Sequence, residues 1–317
     1  FLIKMIKNIY GKHTFYFSVL TIVISIIALI TRNNFEFSNN LLISSICLFF
    51  ILSIGISHGA MDNYKANKLL IIYKINNKSI FFIIYILIAT FVIILWSLYS
   101  SFTLLLFLLV ASYHFGREDT SFLNKGNSNL DQFFYLIKGS LIIFSPLFFH
   151  FDQTLKIFET LFLSEKILIY LKDEHWIINF FLGLSILSYF YFVYKNKFKD
   201  FEILFLDMFL ILIINYVFNP LIAFTIYFCF LHSIRHIISI SYELEPGNFL
   251  FGIKTFIRKA FPLTVVTAVL YLLAIFFLSN SYGLNEVVIK VIFIGLASLT
   301  FPHILLEYLI EKNEKRT

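Results

Sequence analysis

Long apolar runs constrain this chain more than any other feature of its sequence. They cover approximately 14–31, 40–60, 79–98, 100–116, 132–149, 176–194, 201–217, 219–240, 261–279 and 286–310. A helix needs about 20 apolar residues to cross the hydrocarbon of a bilayer, and most of these runs approach that length. They lack the strict alternation of a half-buried strand. Ile, Val and Phe dominate, which in water would favour strands. In lipid the backbone must satisfy its own hydrogen bonds, so the runs are expected to be helices. Charged residues make up only 14 % of the chain, against roughly 25 % in a soluble domain. The expectation is a single all-α, polytopic membrane domain over residues 1–317, with about ten transmembrane helices.

The net charge of +6 would invite a nucleic-acid reading in a soluble protein, but position argues against it. Lys and Arg gather in alternate loops, such as 65–78, 195–199 and 254–259, while the intervening loops hold only Arg32, Lys156, Lys166 and Lys172. Such a bias orients membrane helices, with the basic loops kept in the cytoplasm. It predicts cytoplasmic N- and C-termini, a multi-pass place in the inner (plasma) membrane, and no nucleic-acid partner. The first run follows Lys7 and Lys12 without a small-residue cleavage pattern, and reads as a retained signal-anchor helix. Between 150 and 175, Leu155, Phe158 and Phe162 interleave with Lys156, Glu159 and Glu165. That pattern predicts an interfacial helix near 152–170. Cys47 and Cys229 fall inside spans, so neither a disulfide framework nor a zinc finger is expected.

Five of the eight histidines lie in or at the end of these runs, in four clusters. The clusters are Ser57-His58-Gly59-Ala60-Met61-Asp62, Ser112-Tyr113-His114-Phe115-Gly116, His232-Ser233-Ile234-Arg235-His236 and Phe301-Pro302-His303. A neutral imidazole is costly to bury in hydrocarbon and is also the commonest transition-metal ligand. His232 and His236, four residues apart, share a helix face and can grip one ion. With ten spans, the helices carrying the four clusters all run in the same direction. At 1.5 Å per residue the five histidines then sit roughly 20–28 Å below the outer surface, a common depth. His13, His150 and His175 lie at predicted boundaries and are expected to be interfacial.

Metal-bound histidines usually donate their second nitrogen to a carboxylate. Asp62, four residues after His58, is expected to orient that ring. Asp119, five residues after His114, is less well placed for that role and could simply be a solvated loop residue. Glu307, one turn beyond His303, is the expected partner there, while His303 itself could be a fifth ligand, an outer base or a structural hydrogen-bonding group. Imidazoles without thiolates suit iron, copper or zinc, with Asp62 or Glu307 to offset the ion's charge. The residues alone point to a membrane metalloenzyme acting on a lipid-soluble molecule.

The motifs His-Gly-x-x-Asp, Tyr-His-Phe-Gly, His-Ser-x-Arg-His and Pro-His, in this order and at these separations, resemble those of the Brp/Blh family of membrane β-carotene 15,15′-dioxygenases. The resemblance covers most of the chain. It implies a non-haem Fe(2+) ion held by His58, His114, His232 and His236. It also implies β-carotene and O₂ as substrates, two retinals as products, and a link to a microbial rhodopsin as retinal acceptor. Tyr113, Phe115, Tyr227, Phe228 and Phe230 neighbour these histidines and are expected to contact the polyene. Three rival readings stand beside this one. A di-iron desaturase or hydroxylase would carry HxxHH boxes, which are absent here. A bis-histidine haem electron carrier could use facing histidines. A transporter would more often place acidic groups and broken helices at the midplane.

Overall fold

The computed structural model describes residues 2–31, 40–123 and 128–314. Every regular element among them is helical: α1 (Leu2–Thr31), α2 (Asn40–Phe50), α3 (Asp62–Ile72), α4 (Ser79–Leu98), α5 (Ser100–Glu118), α6 (Asn129–Gly139), α7 (Leu141–Phe149), α8 (Phe151–Thr160), α9 (Glu165–Asp173), α10 (His175–Lys195), α11 (Phe201–Val217), α12 (Pro220–Thr225), α13 (Ile234–Leu244), α14 (Phe249–Leu278) and α15 (Leu284–Glu314). Eight rods among the described residues are long and apolar enough to cross a membrane, with α2–α3, α6–α7 and α12–α13 each counted as one. The other two expected spans, α5 and α11, are 19 and 17 residues long. Arg32 lies outside the described residues. The chain is therefore an all-α, polytopic membrane bundle.

Several helices outrun their apolar stretches. α14 begins at Phe249, well before the apolar run at 261, because Asn248 caps it: its side-chain oxygen accepts from the Phe251 N–H at 3.1 Å. Helicity and hydrocarbon depth are separate properties, and the Lys254, Arg258 and Lys259 turns continue the rod beyond the lipid. The single interfacial helix expected at 152–170 is two helices, α8 and α9. The break between them docks on α4 and α5, where Trp96 Nε1 donates to the Leu161 carbonyl and Ser100 Oγ to that of Phe162.

Two rods are locally unwound into wider, π-helical turns, at Ile51–Gly55 after α2 and at Ile226–Ser233 between α12 and α13. Such turns often mark functional sites, because they re-aim side chains that an α-helix would point elsewhere. A tight 3₁₀ turn, Gly59–Met61, then joins the first of them to α3. All of these irregularities lie in the two rods that carry His58, His232 and His236.

Close backbone contact fixes α5, the carrier of His114. A methyl group on Gly116 would lie 1.8 Å from the Tyr135 carbonyl oxygen, and one on Gly139 would lie 1.8 Å from that of Ser112. Only glycines let α5 and α6 approach this closely, as small residues do in membrane packing. Arg235 supplies a second tie. It is buried on α13, donates two 2.6 Å bonds to Asp207 on α11, and donates a third, at 2.7 Å, to Thr14 on α1. Large exposed apolar side chains, among them Phe91 on α4 and Phe261, Leu270 and Phe276 on α14, form the lipid-facing surface.

Candidate metal centre

Five imidazoles from four rods converge in one buried cluster. Ring centroids of His58 lie 5.6, 5.1 and 5.5 Å from those of His232, His236 and His303. His114 lies 5.3 Å from His232 and 5.2 Å from His303, and His236 is 5.9 Å from His303. The rings expected from sequence to share a depth thus lie side by side. His303, left open from the sequence, is in the cluster itself: nitrogens of His58, His114 and His303 all lie within 4.8 Å of one another.

The hydrogen bonds around the cluster assign which nitrogens are free. His232 Nδ1 lies 2.9 Å from Asp119 Oδ1, and His303 Nδ1 lies 2.8 Å from Asp62 Oδ1. An ionised carboxylate can only accept, so in both rings Nδ1 carries a hydrogen, and Nε2 is the position from which the neutral ring offers its lone pair. Both Nε2 atoms are buried without a hydrogen-bond partner, as is His58 Nδ1. Orphaned buried nitrogens are expensive, and a carboxylate behind the ring is the usual backing of a metal-bound histidine. The residues present therefore fit a transition-metal ion.

His236 differs from the other four. Lys65 Nζ sits 3.1 Å from its Nε2 and 2.9 Å from Glu307 Oε1. An ammonium can only donate, so the His236 lone pair is given to Lys65. Its Nδ1 faces Glu118 at 3.5 Å. Glu307 is shared more widely than expected, lying 3.6 Å from nitrogens of His114, His236 and His303.

Two sequence expectations need correction. Asp62 orients His303 rather than His58, because the 3₁₀ turn at Gly59–Met61 breaks the four-residue register between His58 and Asp62. Tyr85 adds a 3.0 Å bond to the same carboxylate. Asp119 is not a solvated loop residue: it is 4 % exposed, accepts from His232 and accepts a 2.6 Å bond from the Tyr227 hydroxyl. Its partner lies 113 residues away, so no local spacing could have found it. Lys65 reads in the sequence as a loop charge, and Glu118 carries no signal of its own there.

The five aromatic candidates divide. Phe115 packs edge-on against His232 at 4.8 Å, and Phe228 lies parallel to His232 at 6.0 Å and edge-on to His58 at 6.0 Å. Both present hydrocarbon directly to the cluster. Tyr227 points its hydroxyl at Asp119. Phe230 packs on Phe50 at 5.2 Å, and its carbonyl is met by His13 Nε2 at 3.0 Å, so His13 ties α1 into the bundle. The Tyr113 hydroxyl bonds Gln132 and Arg117.

A cavity of about 500 Å³ leads to the cluster between α3, α5, α13 and α15, reaching His114, His236 and Glu307. Three ion pairs lace those helices around it: Lys65–Glu307, Lys68–Glu243 and Arg117–Glu311.

Residues 49–311 match the β-carotene 15,15′-dioxygenase family. The chain is 28 % identical over 279 residues to the β-carotene 15,15′-dioxygenase of the uncultured marine bacterium 66A03, an alignment covering 87 % of this chain and 97 % of that protein. No solved structure matches significantly. With a histidine cluster inside a helical membrane bundle and a family match over most of its length, the chain belongs to the β-carotene 15,15′-dioxygenase family of oxidoreductases.

Proposed function

We propose that this chain is a non-haem Fe(2+) dioxygenase that splits the central 15,15′ double bond of β-carotene with O₂, giving two molecules of retinal. One observation carries the reading: imidazoles from four rods meet, and among them the Nε2 atoms of His232 and His303 are bare while a carboxylate backs each ring. His58, His114, His232 and His303 would hold the ion, with His236 joining once Lys65 moves off its Nε2. Ferrous iron bound there would supply redox activation of O₂. Asp119 and Asp62 hold the His232 and His303 rings in one tautomer and orientation. Phe115 and Phe228 give an uncharged wall that suits a polyene and keeps water from the reacting carbons. The plasma membrane, where β-carotene dissolves, is the place this reading assigns to the chain, and a retinal-binding microbial rhodopsin is a fitting consumer of its product.

The haem reading fares worse on this geometry. A porphyrin needs an open plane between two opposed ligands, and five rings whose adjacent centroids lie 5.1–5.9 Å apart fill that space.

Expression in bacteria that accumulate β-carotene tests the proposal. The expected result is loss of orange colour with two retinals formed per carotene lost, abolished by His232→Ala and by His58→Ala. Unchanged carotene beside a well-expressed, iron-loaded chain would refute it.

A further inference from the structure

The cavity has no role in the reaction so far described, and charged side chains stand among its apolar ones: Lys65, Lys68, Arg117 and their carboxylate partners share the lining with Val110, Phe301 and Ile304. Burying a C40 polyene against Lys65, Lys68, Arg117 and their carboxylate partners would strip water from charges without replacing it. The same walls suit a hydrated cation. Side-chain exposure falls in steps along them, from 46 % and 41 % at Lys68 and Glu243 to 13 % and 19 % at Lys65 and Glu307, then to 6 % at His236. Carboxylates therefore line a graded path from water to the imidazoles.

A second observation at the inner end points to the ligand. Ligand atoms of His236, His303 and Glu307 lie within 4.8 Å of one another, and the His303 Nε2 among these groups is buried and unpartnered. Into this set reaches the Lys65 ammonium, held by His236 Nε2 and Glu307 Oε1. A cation is thus already bound by two of the atoms that would receive a metal.

The geometry points to this cavity as the port through which a divalent transition-metal ion enters and leaves the cluster from the aqueous side, with Lys65 as its inner latch. The port rests on the metal-centre reading given above. His236, His303 and Glu307 form the receiving site, and Lys65 must swing away from His236 and Glu307 for the ion to reach it. The Lys-rich segment at this mouth is the kind kept on the cytoplasmic face, so the port would open to the cytoplasm.

Cys47 and Cys229 are both buried, so a single introduced thiol can be modified selectively. Ser239 lines the cavity on α13. The full-length Ser239→Cys chain, purified metal-free in detergent, would be treated with a charged, membrane-impermeant thiol reagent. Anaerobic uptake of Fe²⁺ alone would then be timed by the appearance of chelator-resistant iron. The port predicts that the thiol reacts, that uptake slows at least tenfold, and that the final iron content is unchanged. In the unmodified background, Lys65→Met should speed both uptake and release at least tenfold. A thiol that stays unreactive, or uptake unaltered by its modification in a chain that still loads iron, would overturn the port and leave the metal centre standing. An unmodified chain that takes up no metal would bring down both.

Discussion

Replacing Asp119 by Asn tests the backing of His232 most sharply. Asn keeps the volume and one carbonyl oxygen, so the 2.9 Å contact with His232 Nδ1 can persist while the charge is lost. A hydrogen bond to a charged group contributes about 1.5–3 kcal/mol and a neutral one about 0.5–1.5. The difference, about 1–1.5 kcal/mol, corresponds to roughly tenfold weaker iron binding. Asp119→Ala goes further, leaving both His232 Nδ1 and the Tyr227 hydroxyl buried and unpaired. At about 1–3 kcal/mol for each stranded group, the fold loses about 2–6 kcal/mol, and iron affinity falls toward the hundredfold limit known for such outer carboxylates. Tyr227→Phe removes one donor and leaves the Asp119–His232 bond intact, so its effect on iron should stay within a few-fold. The assay is an anaerobic ferrous titration against a competing chelator, with the visible spectrum of the Co²⁺-loaded chain as an independent report on the ligand set. Folded Asn and Ala variants that bind iron like the parent, with unshifted Co²⁺ bands, would refute the argument.

Other outcomes follow from particular contacts. Gly139→Ala drives a methyl into the Ser112 carbonyl and should sharply lower the thermal midpoint in detergent, whereas Gly183→Ala, with nothing within 4 Å, should be neutral or slightly stabilising. Asp207→Ala strands the buried Arg235 charge and should cost about 3–5 kcal/mol; removing both charges as Arg235→Met with Asp207→Leu should restore much of the lost midpoint. Chelation should abolish carotene cleavage, with recovery on adding Fe²⁺ and none on adding redox-inactive Zn²⁺.

Much of this architecture is legible in the sequence because lipid leaves the backbone few choices. Apolar runs mark the rods, and histidines inside them are conspicuous because each is costly there. The four motifs therefore announce the cluster, and the fold packs their side chains together. What stays hidden is set by contacts between residues far apart in the chain or by local departures from α-geometry. Asp62 looks like the partner of His58 until a 3₁₀ turn carries it to His303. Asp119 has no neighbour in sequence that would betray its bond to His232. The two π-helical turns leave no compositional trace. Lys65, 242 residues from Glu307, reads as an ordinary loop charge until the fold closes it, with that carboxylate, over His236.

The central claim is that the imidazole cluster holds a ferrous ion that directs O₂ to the middle of β-carotene. Purified chain, loaded anaerobically with Fe²⁺ and given β-carotene in detergent, would be exposed to O₂, and iron per chain would be measured beside the products. The account predicts one iron per chain and two retinals for each carotene consumed, with both quantities collapsing together in His58→Ala and His232→Ala. Carotene cleaved at full rate by variants that have lost their iron, or a fully iron-loaded chain that yields no retinal, would contradict it.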